Sequence, residues 1–246
     1  MTSAVAYLVW VYLIASVPFA LVFTTLEGAD TDVRAAGSGN PGATNVARLF
    51  GWQAAAPVLM ADIGKGFAAV VVARLVWPEW DPYFGWIVAV AAFFAHCYSV
   101  WLEFRGGKGV ATAAGGLLAV TPFATLISAA VWVLVLWISG RSSVASLAAA
   151  LGLVGFVSWL DPASLPVVFA LTAGIAWTHL ANMRRLVRGE EAAVIRPVRW
   201  GPAPPKRAVA EAALAQGPAG TDRSPAIWKE ATHDPLDPTG VDREEP

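Results

Sequence analysis

The sequence has little charge, one cysteine and three histidines. Only 14% of its 246 residues are Asp, Glu, Lys or Arg, and 57% are hydrophobic. A soluble domain carries about 25% charged residues, so an ordinary soluble fold is excluded and a membrane-embedded chain is indicated. The lone Cys97 excludes an intrachain disulfide and a multi-cysteine metal site. His96, His179 and His233 are too scattered for a local metal motif, so neither a metal nor a cofactor is expected. No G-x-x-x-x-G-K-[ST] spacing occurs, which leaves a nucleotide hydrolase poorly supported. Nothing calls for a nucleic-acid partner. The first apolar run lacks a basic leader and is too long for a signal core, so it reads as a retained span.

What is present is a series of apolar runs with polar punctuation. Residues 4–26 are apolar without Lys or Arg, long enough for a hydrocarbon core of about 30 Å. Further spans are expected at about 52–76, 83–102, 110–120, 122–138, 144–159 and 165–181. The split at Thr121-Pro122 follows because proline lacks a backbone donor and disfavours helix before it. The fold class is therefore all-α, a polytopic membrane helix bundle of seven transmembrane segments. With seven spans, Arg34, Arg48, Arg105, Lys108, Arg141, Arg184, Arg185 and Arg188 share one side. The loops on the other side hold no Lys or Arg, which puts the N-terminus outside and the C-terminus in the cytoplasm. From about 190 the chain turns rich in Pro, Ala and both signs of charge, with ten of the eighteen acids. Domains are expected at 1–189, membrane-embedded, and 190–246, a mostly disordered cytoplasmic tail with one short helix at 208–216.

Three loops on the basic side carry candidate chemistry. Gly37-Ser38-Gly39-Asn40-Pro41-Gly42-Ala43-Thr44-Asn45 packs glycines and small hydrogen-bonding side chains together, flanked by Arg34 and Arg48. Such loops bring backbone amides to an anion, so this one reads as a phosphate cradle; an ordinary turn is the plainer reading. Arg105-Gly106-Gly107-Lys108-Gly109 repeats the combination, with a simple positive-inside anchor as its alternative. Gly140-Arg141-Ser142-Ser143 is the third. His179, Asn182 and Arg185, spaced by three, share one helix face. Asp62 and Lys65 also share a face, with Lys65 about 20 Å along its helix. Intramembrane charges mark either a functional interior or an ion pair locking helices together. Lone His96 reads as structural.

With these loops assembled, the chain resembles the bacterial acyl-phosphate glycerol-3-phosphate acyltransferases, the PlsY family. The likeness rests on Gly37 to Val46 with Arg48, on Phe104 and Gly106-Gly107-Lys108-Gly109-Val110-Ala111-Thr112 with His96 upstream, and on His179, Asn182, Arg185 and Leu186. Asp62-x-x-Lys65-Gly66 and Ser142-Ser143 also fit. It covers about residues 5–190. Ala95 and Ser99 stand where the family usually has Gly and Pro, Arg105 replaces Lys, and Thr178, Leu180 and Ala181 depart from the third block.

The resemblance implies an inner-membrane, multi-pass enzyme with its active-site loops on the cytoplasmic face. It would move an acyl group from acyl phosphate to the 1-hydroxyl of sn-glycerol 3-phosphate, giving lysophosphatidate and phosphate for phospholipid synthesis. Both substrates carry phosphate and one carries a long apolar chain. Anion-binding loops at the membrane surface and a lipid-accessible groove would serve them. The H-x-x-x-x-D dyad of other glycerolipid acyltransferases is missing, since Trp101 and Arg184 occupy the acidic position after His96 and His179. Direct attack by the glycerol hydroxyl is therefore expected, with the protein supplying positioning and electrostatics. Ser38, Arg48, Lys108, His179 and Asn182 are the expected catalytic set. Gly37, Gly39, Asn40, Gly42, Thr44, Asn45, Gly106, Gly107, Gly109, Ser142 and Ser143 are the expected phosphate contacts. Asp62 and Lys65 read as supporting structure. A phosphorylated-solute transporter and a lipid-headgroup scaffold are the competing readings.

Overall fold

Proline and glycine set the helix ends in the computed structural model, which describes residues 2–29, 31–81 and 83–195. The described residues contain ten α-helices and no strand. They are α1 (Thr2–Ala15), α2 (Phe19–Leu26), α3 (Ala43–Phe50), α4 (Trp52–Val76), α5 (Tyr83–Cys97), α6 (Val110–Val120), α7 (Pro122–Ser139), α8 (Ser142–Leu160), α9 (Leu165–Thr178) and α10 (Leu180–Val187). Pro122 opens α7 as its first residue, where the missing N–H costs nothing. Gly140, at φ +70°, closes it in the left-handed conformation that glycine tolerates best.

Four stretches are long and apolar enough to cross a membrane: Trp52–Val76, Tyr83–Leu102, Pro122–Ser139 and Ser142–Leu160. Two more qualify as bent pairs, Thr2–Ala15 with Phe19–Leu26 at 41°, and Pro162–Thr178 with Leu180–Val187 at 56°. The span expected at 110–120 is α6. Its 11 residues rise only about 16 Å, short of a full crossing. Length and composition thus support four to six spans.

The first expected span, 4–26, is broken at Ser16–Pro18. Pro18 removes a donor and turns Val17 out of the helix. The carbonyls freed there are recovered by side chains from elsewhere. Trp101 Nε1 donates to Leu13 O (3.1 Å), Ser99 Oγ to Ser16 O (2.6 Å) and Lys65 Nζ to Val17 O (3.0 Å). Ser99 thereby gains a structural task.

Glycines bring α4 and α6 into backbone contact. A Cβ at Gly66 would strike Thr112 O, and one at Gly115 would strike Ile63 O. This approach fixes the face of α4 that carries Asp62 and Lys65. At the far end of the bundle, Arg74 pairs with Asp81 (2.7 Å) and also donates to Ala119 O. So one cation does lie at the end opposite the basic loops, at the last turn of α4, where a carboxylate neutralises it.

Past α10, Gly189 (φ +72°) reverses the chain. Val194 N then donates to Gly140 O (2.8 Å), and Arg141 Nε to Glu191 O (2.9 Å). Residues 190–195 therefore pack onto the helical unit rather than leaving at 189. The rest of the expected tail, with its helix at 208–216, lies outside the described residues.

Candidate functional site

Two of the basic loops meet the α9–α10 junction at one open cleft of about 790 Å³, and Gly140 to Ser143 lie outside it. Segments 32–41, 97–108 and 177–185 line it, which brings Ser38, Gly39, Asn40, Gly106, Gly107, Lys108, Asn182 and Arg185 together. Each segment follows or precedes a helix end, so the helices hold the loops in register.

The first wall is built by Asn45. Its side-chain oxygen accepts from Ser38 N (2.8 Å) and Arg48 Nη1 (3.2 Å). Its amide donates to Val33 O (2.8 Å) and Ala36 O (3.0 Å). Buried and fully engaged, Asn45 clamps the loop rather than facing a ligand. Gly37 sits at φ +62° with no space for a Cβ beside that Asn45 oxygen. The Gly39 and Gly42 amides donate to Ala36 O and Asn40 O. Thr44 and Gly42 do not line the cleft.

The second wall repeats this logic. The Gly106 amide donates to Cys97 O (3.0 Å) and that of Gly107 to His96 O (3.1 Å). A Cβ on Gly106 would strike His96 O, so the residue must be glycine for space. Gly109 (φ +74°) is buried against Phe93 and Cys97. The expected amide cradle is therefore corrected at Ser38, Gly39, Gly42, Gly106 and Gly107. Their N–H groups are bound to protein acceptors, and the glycines serve close chain approach. What the loops present to the cleft is side chains: Ser38, Asn40 and Lys108.

The third wall centres on Glu191, a residue that sequence reasoning assigned to the tail. Its carboxylate accepts from Ser143 Oγ (2.8 Å), Asn182 Nδ2 (2.6 Å) and Arg185 Nε (2.8 Å). Burial alone would raise its pKa, but these hydrogen bonds and the Arg185 charge outweigh burial and hold the carboxyl below its usual range. Ser143 gives its hydroxyl proton to Glu191, so the expected phosphate contact is instead a support, and Ser142 lines no part of the cleft. A carboxylate can only accept, which fixes the Asn182 amide with Nδ2 toward Glu191. Its Oδ1 is buried without a partner among the described residues. That leaves a hydrogen-bond acceptor for a ligand hydroxyl. His179 Nδ1 lies 2.8 Å from Ile175 O, so in the neutral ring Nδ1 carries the proton and Nε2 is an acceptor. Thr178 Oγ1 donates to Lys108 O (3.3 Å), tying this wall to the second.

The cations complete the electrostatics. Burial pushes Lys108 down to about 8; Glu191 opposes that shift, while Arg185 and Arg48 reinforce it. Burial likewise lowers Arg48, whose Nε has no partner among the described residues. Two of the side chains with buried unpartnered polar atoms, Arg48 and Asn182, thus belong to the expected site. At the cleft a half-buried lysine, a hydroxyl and an amide oxygen without a partner among the described residues can receive an anion that also bears a hydroxyl, whereas Arg48 and His179 are not among the residues that line it. Among the described residues no cluster of His, Cys, Asp and Glu could hold a metal. Asp62 and Lys65 lie away from the cleft, paired at 2.7 Å.

Comparison with known proteins places the chain in a family. The family model for glycerol-3-phosphate acyltransferase matches residues 5–189. A glycerol-3-phosphate acyltransferase of Pseudomonas paraeruginosa is 43% identical over 185 residues, covering 73% of this chain and 94% of that one. One from Bordetella pertussis is 41% identical over 201 residues, covering 78% and 92%. The fold also matches the crystal structure of PlsY (YgiH), an integral membrane glycerol 3-phosphate acyltransferase, in its glycerol 3-phosphate form. That likeness has a TM-score of 0.72 at 34% identity and covers 78% of this chain and 95% of that one.

Proposed function

The chain belongs to the glycerol-3-phosphate acyltransferase family, and from that premise we propose that it acylates the 1-hydroxyl of sn-glycerol 3-phosphate with acyl phosphate, releasing lysophosphatidate and inorganic phosphate. The observation that carries this reading is the convergence of Ser38, Lys108 and Asn182 on one cleft, with an Asn182 oxygen that has no partner among the described residues. Lys108 and Arg48 neutralise phosphate charge, and Ser38 donates a hydrogen bond to it. Asn182 Oδ1 holds and orients the glycerol hydroxyls, and the Nε2 of His179, although that residue is not among those lining the cleft, is the second acceptor assigned to them.

Acyl phosphate is already an activated mixed anhydride. The hydroxyl oxygen attacks the acyl carbonyl, an ester C–O bond forms, and the bond from the carbonyl carbon to the phosphate oxygen breaks. The departing phosphate takes the hydroxyl proton. No acyl-enzyme and no cofactor is needed. The contribution of the protein is alignment of the reactants and compensation of charge.

In the cell membrane the cleft faces the cytoplasm and the N-terminus lies outside. Support comes from the clustering of loop cations at the cleft end, while Arg74, at the other end, is paired with Asp81. On this reading α6 is the fourth of seven segments, returning the chain between α5 and α7.

Donor chemistry is tested by comparing palmitoyl phosphate with palmitoyl thioesters. Product from the phosphate alone is expected; comparable rates with a thioester would remove acyl phosphate from the account. The charge on Lys108 adds a pH signature. kcat/KM falls as pH rises through about 8, because the free enzyme loses the cation. Folding moves the other way. A lysine held below its ordinary 10.5 costs stability when charged, so stability grows as pH rises from about 8 toward 10.5. A pH–rate profile beside a pH–melting profile checks the opposite signs.

A further inference from the structure

The proposed chemistry leaves one buried polar cluster without a task. Asp62 and Lys65 pair on α4 with side chains only 3% and 2% exposed. Lys65 also holds Val17 O at the α1–α2 break and lies 5.5 Å from the Phe19 ring centre. On α5, His96 Nδ1 stands 3.5 Å from Asp62 Oδ1 and 3.2 Å from Thr112 Oγ1. Apolar residues would pack these helices at lower cost than buried charges.

The far side of the imidazole explains the expense. His96 Nε2 lies directly beneath Gly107: a Cβ there would fall on Nε2 and within 3.0 Å of Cδ2 and 3.3 Å of Cε1. The His96 carbonyl also accepts the Gly107 amide. The next residue is Lys108.

We propose that His96 is a positioning residue for Lys108, a role that rests on reading Lys108 as a phosphate-binding cation. Hydrogen-bonded to Thr112 and set beside the Asp62 carboxylate, the ring is the floor on which Gly107 rests, and it sets where the Lys108 backbone enters the cleft. Asp62 is in turn fixed by Lys65. Because Lys65 also holds the carbonyl just before α2, which leads into the Ser38 loop, two walls of the cleft share one anchor.

A double-mutant cycle in the detergent-purified full chain tests this, with inorganic phosphate as the binding probe. Gly107→Ala, driven into the ring, should raise the Ki of phosphate and lower kcat/KM by about 100-fold. His96→Asn keeps a donor near Asp62 but removes the ring tip; alone it should cost about tenfold. Combined with Gly107→Ala it should recover about tenfold over Gly107→Ala, because the space is vacated. Melting temperatures should stay close to that of the parent. Additive losses in the double variant, or a parental phosphate Ki in His96→Asn, would overturn the role. Lys108→Ala with an unchanged Ki would overturn the underlying reading instead; recovery between residues 96 and 107 would still be seen in kcat/KM.

Discussion

Lys108→Ala should lower kcat/KM for acyl transfer by about 10²–10³-fold while the protein stays folded. That is the scale for removing one preorganised group aimed at charge that moves during a reaction. Lys108 is half-buried, which strengthens its field, and Arg48 and Arg185 are near enough to depress its pKa. Arg48 and Ser38 leave a partial receptor, so the loss is large without being total. Lys108→Arg should restore only part of the rate. The ammonium is a compact point charge, and a planar fork in the same space meets the phosphate differently. Steady-state kinetics on folded variants, checked by melting temperature, reads both.

Glu191→Ala carries the second large effect, on stability and activity together. Removing the carboxylate orphans the Ser143 hydroxyl and the Asn182 amide, each at about 1–3 kcal/mol. Arg185, about a third exposed, loses less because water replaces part of the contact. Asn182 then turns freely, and its acceptor no longer faces the cleft. Misplacement of that kind costs about 10²-fold in rate. Glu191→Gln keeps an acceptor but points a donor at a donor, so it should fall between Ala and the parent in both melting temperature and kcat/KM. A parental rate in Glu191→Ala would place Asn182 outside the reaction.

Helix ends were legible where a residue acts locally. Thr121-Pro122 and Gly140 marked their boundaries because the missing N–H of proline and the left-handed freedom of glycine act within one turn. The break at Pro18 has the same local cause, but the apolar run continues through it and hides the bend. Its completion by Trp101, Ser99 and Lys65 is a long-range fact that no local pattern carries. Much of the cleft was legible, because glycines and cations cluster in two of its loops and Asn182 and Arg185 are spaced by three, but the third loop, Gly140 to Ser143, lies outside it. Their division of labour was not. Asn45 and Ser143 have the chemistry of phosphate ligands, and only their partners show that they brace the walls. Glu191 was hidden by its neighbours, sitting where the composition turns acidic and proline-rich. The available signal was Gly189, able to reverse the chain, with a carboxylate two residues later and Arg185 six before it.

The cleft alone should convert acyl phosphate and glycerol 3-phosphate to lysophosphatidate and inorganic phosphate. The direct measurement is incubation of the purified protein, with no other protein present, with palmitoyl phosphate and glycerol 3-phosphate, following lysophosphatidate and inorganic phosphate together. The two should appear in equal amounts, and Lys108→Ala should suppress both. Folded protein that binds glycerol 3-phosphate but forms no lysophosphatidate would contradict this conversion and point to a carrier of the phosphorylated solute.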